Sequence, residues 1–460
     1  MCGVFGIHNH PNAADLAHLG LYSLQHRGQE SWGIVAIDET STAIPVRSMG
    51  LVSDVGALRP LDGVQTHIAI GHTRYSTAGS SAIENAQPVL ARYRDGHIAL
   101  AHNGNLVNAA ELRQELEEAG SIFASSADTE VIVHRIARAK AEQPEAKLAA
   151  ALEGVEGAYS LVAIIGETML AARDPRGWRP LVMGELNGSI VFASETCGLD
   201  ILGAKTLREV APGEIITVDK TGIHSTFPFE RKASHRCVFE YVYFARPDSS
   251  IFGGSVDRAR RALGRQLARE APAPTADLVF AVPDSSNSAA LGFAEESGLP
   301  YELALIRNHY VGRTFIQPQQ AGRDAKVKVK YNPVREVLNG KRVVMVDDSI
   351  VRGTTTRGLV AMVRAAGATE VHMRVSSPPV TGPCYYGIDT PTRDELIAAN
   401  NSLDEIATEI GVDSLGYLSL DGMLNAAPGG PDGFCHACFS GDYPTAPPAD
   451  SDKLRYGCGC

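Results

Sequence analysis

The run "KRVVMVDDSIVRGTTTRGLVAMVRAAG", residues 341–367, constrains this chain more than any other. It reads as an apolar strand, a polar loop and a helix, the unit from which parallel α/β sheets are built. "ADLVFAVP" leading into "DSSNSAALGFAEESG" is a second such unit. Open α/β sheets bind ligands at the carboxyl ends of their strands, and there this strand ends in Asp347 and Asp348. The loop beyond offers Gly353 and the threonines 354 to 356 ahead of the helix. Exposed N–H groups, hydroxyls and the positive helix end favour a phosphate at that point. No Gly-Lys-Ser/Thr follows, so this is not a Walker A loop, and a sugar phosphate fits it better than a nucleoside triphosphate. The plainer alternative is a buried strand with an acidic turn.

With 460 residues the chain exceeds one ordinary domain, and its two parts differ in character. Up to about residue 228, the apolar runs "HIAIGHTRY", "HIALAHNGNL" and "YSLVAII" predict a β-rich part. Helices are predicted within it over "AAELRQELEEAG" and "ADTEVIVHRIARAKAE". From residue 229 the strand–loop–helix units take over, and a tail from about 420, rich in Gly, Pro and Cys, is expected to be irregular. An apolar fraction of 44% with 21% charged residues is that of a soluble globular protein. The net charge of −11 argues against general nucleic-acid binding, though a small basic pocket remains compatible with it. No stretch approaches the ~20 apolar residues of a membrane span and no secretory pattern opens the chain, so a cytoplasmic protein is expected. Its eight cysteines are then expected as reduced thiols, metal ligands or a nucleophile rather than disulfides.

The opening "MCGVFGI" places Cys2 directly behind Met1, where a small residue is ordinary. Removal of Met1 would leave a thiol and a free amine on one residue, and an α-amine titrating near pKa ~8 is a base at neutral pH. Three other stretches can serve such a nucleophile. "AHNGNLVN" sets Asn103 and Gly104 after a strand, where a side-chain amide and a backbone N–H converge on an oxyanion or simply form a hairpin turn. "GHTRYSTAG" holds Arg74 among glycine and hydroxyl residues, suited to a carboxylate or to the surface. "SSADTEVIV" puts Asp128 ahead of a helix, where it can cap the helix or meet an ammonium. Together they can hold a free amino acid at both ends beside Cys2.

"MCGVFGI", "QHRGQESWGI", "GHTRYST", "HNGN" and "SADTE" resemble the glutaminase domain of the class II, N-terminal-nucleophile amidotransferases. The resemblance implies a four-layer αββα sandwich over residues 2–228. It implies that Cys2 attacks the glutamine amide, giving a thioester and ammonia, with its own amine moving the proton. Asn103 and Gly104 would form the oxyanion hole. Arg74 would bind the glutamine carboxylate, Asp128 its amino group, and Arg27 would belong to the same glutamine site. "VVMVDDSIVRGTTTRG" resembles the phosphoribosylpyrophosphate (PRPP) motif of type I phosphoribosyltransferases. That implies a parallel α/β domain over residues 229–460, ending in the Cys-containing tail. Asp347 and Asp348 would hold the ribose hydroxyls and help place Mg2+, while Ser349, Arg352, Gly353, Thr354 and Thr355 would cradle the ribose phosphate. "AVPDSSNSAA" resembles the pyrophosphate loop of that family, with Ser286 as its metal or pyrophosphate contact. The basic stretch 310–332 is either solvated surface or a loop that closes over this site.

A glutaminase followed by a PRPP-dependent transferase resembles the glutamine–PRPP amidotransferases, which begin purine synthesis de novo. The implied reaction converts glutamine, PRPP and water to phosphoribosylamine, pyrophosphate and glutamate. Ammonia would be protonated in water, so a dry passage between the sites is expected. The resemblance further implies inhibition by purine nucleotides and a homo-oligomer, expected as a tetramer. "FCHACF" supplies Cys435 and Cys438 as a C-x-x-C pair, with Cys237 and Cys384 as candidate partners. Spacing leaves redox chemistry, zinc and iron–sulfur open, and the terminal Cys458 and Cys460 compete as ligands. One branch of the resembled family carries a structural 4Fe–4S cluster in these motif contexts, which implies Cys237, Cys384, Cys435 and Cys438; Cys197 lacks the context. Two rival readings remain. Another class II amidotransferase would not need the "VDDSIVRGTTT" run, and a PRPP-sensing regulator with a decayed glutaminase would not keep Cys2, Arg74, Asn103, Gly104 and Asp128 intact.

Overall fold

The computed structural model describes residues 1–53, 55–75, 81–309, 330–390 and 392–448. Most of the basic stretch, 310–329, and both Cys458 and Cys460 lie outside the described residues. Between Gly3 and Thr226 the chain builds two antiparallel sheets. The first has seven strands in the order 205–209, 182–186, 189–193, 3–8, 66–74, 31–38 and 43–49. The second has six, in the order 222–226, 215–219, 168–173, 157–165, 96–106 and 89–93. Successive side chains of a strand face opposite ways, and here both faces are apolar. Val4, Ile68 and Ile70 of the first sheet meet Ala99, Ala101, Val162 and Ile164 of the second. Phe5 and Ile7 point the other way, onto Ala17 and Leu21 of the helix Ala13–Ser23. On the far side, Ile98, Leu100 and Leu161 meet Ile132, Ile136 and Leu148 of the helices Thr129–Arg138 and Pro144–Leu152. The result is the expected αββα layering.

The second part is built on a parallel sheet of four strands, 278–281, 342–347, 370–375 and 414–417. Residues 343–346 of its second strand are all apolar because helices cover both faces. Val344 and Val346 pack with Leu263 and Phe293 of the helices Val256–Glu270 and Asn287–Ser297. Val343 and Met345 pack with Leu359 and Ile406 of Thr354–Ala365 and Leu403–Ile410. The tail is more regular than its composition suggests. Ser419 caps a helix over Leu420–Ala426, Phe434–Cys435 pairs in parallel with Arg236–Cys237, and Phe439 stacks on Phe239 at 5.6 Å. The few large apolar residues of the tail are thus spent as anchors on the body. The two parts touch directly. Trp178 stacks on Tyr386 with centroids 4.5 Å apart, and Asn105 Nδ2 donates to the Tyr385 carbonyl at 3.0 Å.

The helices Val256–Glu270 and Asn287–Ser297 approach so closely that a Cβ on Gly264 would lie 1.8 Å from the Ala289 carbonyl oxygen. Gly264→Ala must therefore push the helices apart, at a cost of about 3 kcal/mol. The expected result is a lowered urea midpoint by circular dichroism; an unchanged midpoint would contradict this account of the helix contact.

Candidate functional site

Cys2 leads into the strand Gly3–His8 and is 7% exposed. The pairing of Gly3 with Thr73 brings the end of the 66–74 strand beside it, and Cys2 Sγ lies 3.7 Å from the Tyr75 carbonyl. From the facing sheet, Asn103 Oδ1 accepts the Cys2 backbone N–H at 3.2 Å. Met1 precedes Cys2 here, so that nitrogen is an amide. Asn103 Nδ2 is buried and has no hydrogen-bond partner among the described residues. Such an orphan costs about 1–3 kcal/mol, so it is a donor held ready for an acceptor.

Residues 103–106 form no hairpin turn; the strand Gly96–Leu106 runs straight through them, paired with 157–165. Tyr159, opposite Gly104, turns its own backbone groups to Asp174 on the other side. Gly104 therefore directs its N–H away from that partner, to the free edge of its strand. Along the same edge His102 N–H donates to Gln87 Oε1 at 2.8 Å and Leu106 N–H to Asp128 Oδ2 at 3.0 Å. A Cβ on Gly104 would sit 1.9 Å from the Ala158 oxygen, so no other residue fits. Asp128 makes no capping bond. Burial disfavours its charge, but His102 and the Leu106 N–H hold its carboxyl below the ordinary value. Arg74 is 4% exposed and donates from Nη1 to Glu30 Oε1 at 2.6 Å. Cys2, Asn103, Gly104, Arg74 and Asp128 thus gather at one end of the sandwich.

Arg27 stands behind them. The resemblance puts it in the glutamine site, and every nitrogen of its fully buried guanidinium has a protein partner. Nε donates to the Cys2 carbonyl at 2.9 Å, Nη1 to Glu195 and to Glu240 Oε2 at 3.0 Å, and Nη2 to Glu240 Oε1 at 2.9 Å. Arg179 Nη1 lies 3.5 Å from Glu240 Oε1, and its Nε donates to the Tyr386 carbonyl at 3.0 Å. Burial works against the Arg27 charge, yet Glu240 and Glu195 outweigh it and raise its affinity for the proton. Met1 is enclosed in the same place, its sulfur against Arg179. Burial pushes the Met1 amine down to about 5, and the two guanidiniums add to the effect.

In the second part, the parallel strand delivers Asp347 and Asp348 to its carboxyl end. Ser286 Oγ donates to Asp347 Oδ1 at 3.1 Å, Ser285 Oγ to Asp348 Oδ2 at 2.5 Å, and Ser349 Oγ to Asp348 Oδ1 at 2.7 Å. Two carboxylates side by side, Asp348 buried and Asp347 half-buried, resist ionising together. Burial and then Asp348 hold Asp347 well above the usual range, and burial raises Asp348 as well. Gly353 opens the helix Thr354–Ala365 with φ +72°, and Thr354 and Thr355 stand exposed at its start. Arg352 pairs with Glu395 at 3.1 Å on the surface.

Cys237, Cys384, Cys435 and Cys438 line one small cavity with Trp178, Arg179 and Tyr386. Burial pushes the Cys237 thiol up to about 11, that of Cys435 up to about 12, and that of Cys438 well above its ordinary value. Among the described residues, only His26, Glu195 and Cys197 form a trio of potential ligand atoms all within 4.8 Å of one another. The His26–Glu195–Cys197 trio is no rival, since Glu195 already serves Arg27, the Arg246 N–H and Ser249 Oγ.

A glutamine amidotransferase domain family matches residues 72–200. The amidophosphoribosyltransferase of Bacillus subtilis is 51% identical over 450 residues, covering 96% of this chain and 94% of its own length. The chloroplastic amidophosphoribosyltransferase 2 of Arabidopsis thaliana is 50% identical over 457 residues, covering 99% and 81%. The chain belongs to the amidophosphoribosyltransferase family. A solved structure of the Bacillus subtilis glutamine PRPP amidotransferase, complexed with ADP and GMP, matches it at a TM-score of 0.92 and 49% identity, over 98% of both chains. As a member of the amidophosphoribosyltransferase family it is an enzyme that joins a glutaminase sandwich to a phosphoribosyltransferase sheet.

Sequence reading passes over Glu240, Glu195, Arg179 and Glu30. The available signal is a charge stranded in an apolar run, as in "VFEYVYF" and "VFASETCG", because such charges are buried only when paired. Glu240→Ala leaves Arg27 and Arg179 short of a carboxylate in a dry site, which costs about 3–5 kcal/mol. The variant is expected to unfold at a lower temperature and to lose glutamine-dependent activity with it. Wild-type thermal stability in calorimetry would refute this role for Glu240.

Proposed function

We propose that this chain catalyses the first committed step of purine synthesis de novo: it hydrolyses glutamine at Cys2 and delivers the ammonia to PRPP at the Asp347–Asp348 loop. The products are glutamate, 5-phosphoribosylamine and pyrophosphate. The observation that carries the reading is the unpartnered Asn103 Nδ2 converging with the Gly104 edge beside Cys2, on a chain that also bears the acid pair and phosphate loop. Once Met1 is gone, the Cys2 nitrogen is a free amine that takes the thiol proton as sulfur attacks the amide carbon. Asn103 Nδ2 and Gly104 N–H stabilise the oxyanion, and the amine hands its proton to the departing ammonia. Water then cleaves the thioester to glutamate. Arg74 and Asp128 grip the α-carboxylate and α-ammonium, while Arg27 positions Cys2 through its carbonyl. In this reading residues 2–228 form the glutaminase domain and residues 229–460 the phosphoribosyltransferase domain.

At the second site Ser349, Arg352, Gly353, Thr354 and Thr355 hold the ribose phosphate, and Asp347 and Asp348 the ribose hydroxyls. Mg2+ would be held by Ser286, Asp347 and Asp348, whose shared resistance to ionising is what a dication relieves. When bound, it neutralises charge on the departing pyrophosphate. Four thiols gathered on one cavity, together with the resemblance, support a 4Fe–4S cluster with a structural role, since neither half-reaction moves electrons. Inhibition by purine nucleotides draws support from the ADP and GMP bound to the Bacillus subtilis relative. A tetramer and a cytoplasmic location complete the reading; among the described residues no helix is long and apolar enough to cross a membrane.

Cys2→Ala is expected to lower glutamine-dependent phosphoribosylamine formation by roughly 10³–10⁵-fold while sparing the reaction supplied with ammonia. Retained glutamine activity in the purified variant would reject Cys2 as nucleophile. The cluster has its own test. Anaerobically purified protein should carry about four irons and matching acid-labile sulfide per chain. Cys435→Ser should lose them and Cys197→Ser should not. One tightly bound zinc without sulfide would replace the cluster by zinc, and iron loss on changing Cys458 or Cys460 would move the ligand set.

A further inference from the structure

Beneath the oxyanion strand lies a closed ring of hydrogen bonds whose imidazole the mechanism above leaves unused. His102 N–H donates to Gln87 Oε1 at 2.8 Å, and Gln87 Nε2 donates to Thr129 Oγ1 at 2.9 Å. Thr129 Oγ1 donates to Asp128 Oδ1 at 3.3 Å, and His102 Nδ1 stands 3.2 Å from that hydroxyl and 3.5 Å from Asp128 Oδ1. The other ring nitrogen, Nε2, faces the Ala158 carbonyl at 3.1 Å. A carbonyl only accepts, so Nε2 carries a proton. Nδ1 thus faces both the Thr129 hydroxyl and the Asp128 carboxylate. A neutral ring would turn a lone pair toward that charge; a doubly protonated ring turns a donor toward it.

We propose that His102 is a positioning residue for the glutamine ammonium subsite: clamped as an imidazolium between the Ala158 carbonyl and Asp128, it fixes the carboxylate that receives the substrate's α-ammonium. This rests on the role proposed above for Asp128. The charged and titratable groups facing the ring are Asp128 at the start of the Thr129–Arg138 helix, Cys2 ahead of the first strand and His72 on the 66–74 strand. His72 is no competing cation, because burial pushes its ring down to about 3. Burial opposes charge on His102 too, but Asp128 overcomes it and raises its pKa above the ordinary 6.5. The imidazolium is thus favoured beside Asp128 and is lost as pH rises through the raised value. The freed lone pair then repels Asp128 Oδ1, and the carboxylate no longer keeps both the Leu106 N–H and its aim at the substrate.

The test compares glutaminase kinetics of the Met1-free, full-length holoenzyme with His102→Asn and His102→Gln between pH 6 and 9.5. The probe is glutamine beside glutaramic acid, which has the same amide and carboxylate but no α-ammonium. The expected result is a rise of about tenfold in KM for glutamine at pH 7 with kcat largely kept, and no change in KM for glutaramic acid. In wild type, KM for glutamine should climb on an alkaline limb that both variants lack; ionisation of glutamine itself is common to all three. Equal KM changes for the two substrates, or a loss in kcat alone, would overturn the proposal. If neither variant folds, the wild-type comparison decides, because an alkaline limb identical for glutamine and glutaramic acid rejects it. Asp128→Asn separates the two levels. An unchanged glutamine KM in that variant would remove the Asp128 role, whereas a raised one with a wild-type His102→Asn profile would remove only His102.

Discussion

A guanidinium enclosed with two carboxylates, and bonded to the backbone of the nucleophile, is the interaction on which both parts of this molecule depend. Arg27 and Arg179 face Glu195 and Glu240 with no solvent exposure, so two positive and two negative charges balance in a dry site. Burying four charges is costly unless each is paired and its remaining lone pairs are used. Here they are used. Glu195 also accepts from the Arg246 N–H at 2.9 Å and Ser249 Oγ at 2.8 Å, and Arg179 reaches the Tyr386 carbonyl. One carboxylate, Glu240, and the Arg246 and Ser249 donors to the other come from the second part, whereas the group they orient, the Cys2 carbonyl, belongs to the first.

The segment around Glu240 extends that dependence. Cys237 lines the thiol cavity, Glu240 holds Arg27, and Tyr243 lies within electrostatic reach of Asp347 and Asp348, all within one short stretch. The backbone at Glu240–Phe244 forms a π-turn, which re-aims side chains relative to an ordinary helix. Three chemically unrelated centres therefore draw on one seven-residue segment, Cys237 to Tyr243.

The layers and both sites were legible because their signals are local. An apolar strand ending in Asp347-Asp348 with Gly353 behind it states its own geometry, and Cys2, Asn103, Gly104 and Asp128 sit in short motifs. What could not be read depends on contacts between distant segments. Asn103–Gly104 looked compatible with a turn, yet pairing with 157–165 makes it a strand, and only the closeness of Ala158 explains the glycine. Asp128 occupies a capping position, but its carboxylate is taken by the Leu106 N–H from another element. The order of the tail rests on Phe434 and Phe439 finding partners near residue 240, a match no periodicity announces.

The enclosure of the residues ahead of Cys2 has a consequence in time. Glu240 lies 213 residues beyond Arg27, and Tyr386 is later still. A chain made from its amino end at several residues per second must wait tens of seconds for these partners. During that interval Arg27 lacks Glu240, the seal over Met1 does not exist, and whatever precedes Cys2 is open to water and to peptidases. Afterwards Met1 is 1% exposed. Any trimming that frees the Cys2 amine therefore has its window while the ribosome is still at work, before the finished molecule closes over Met1.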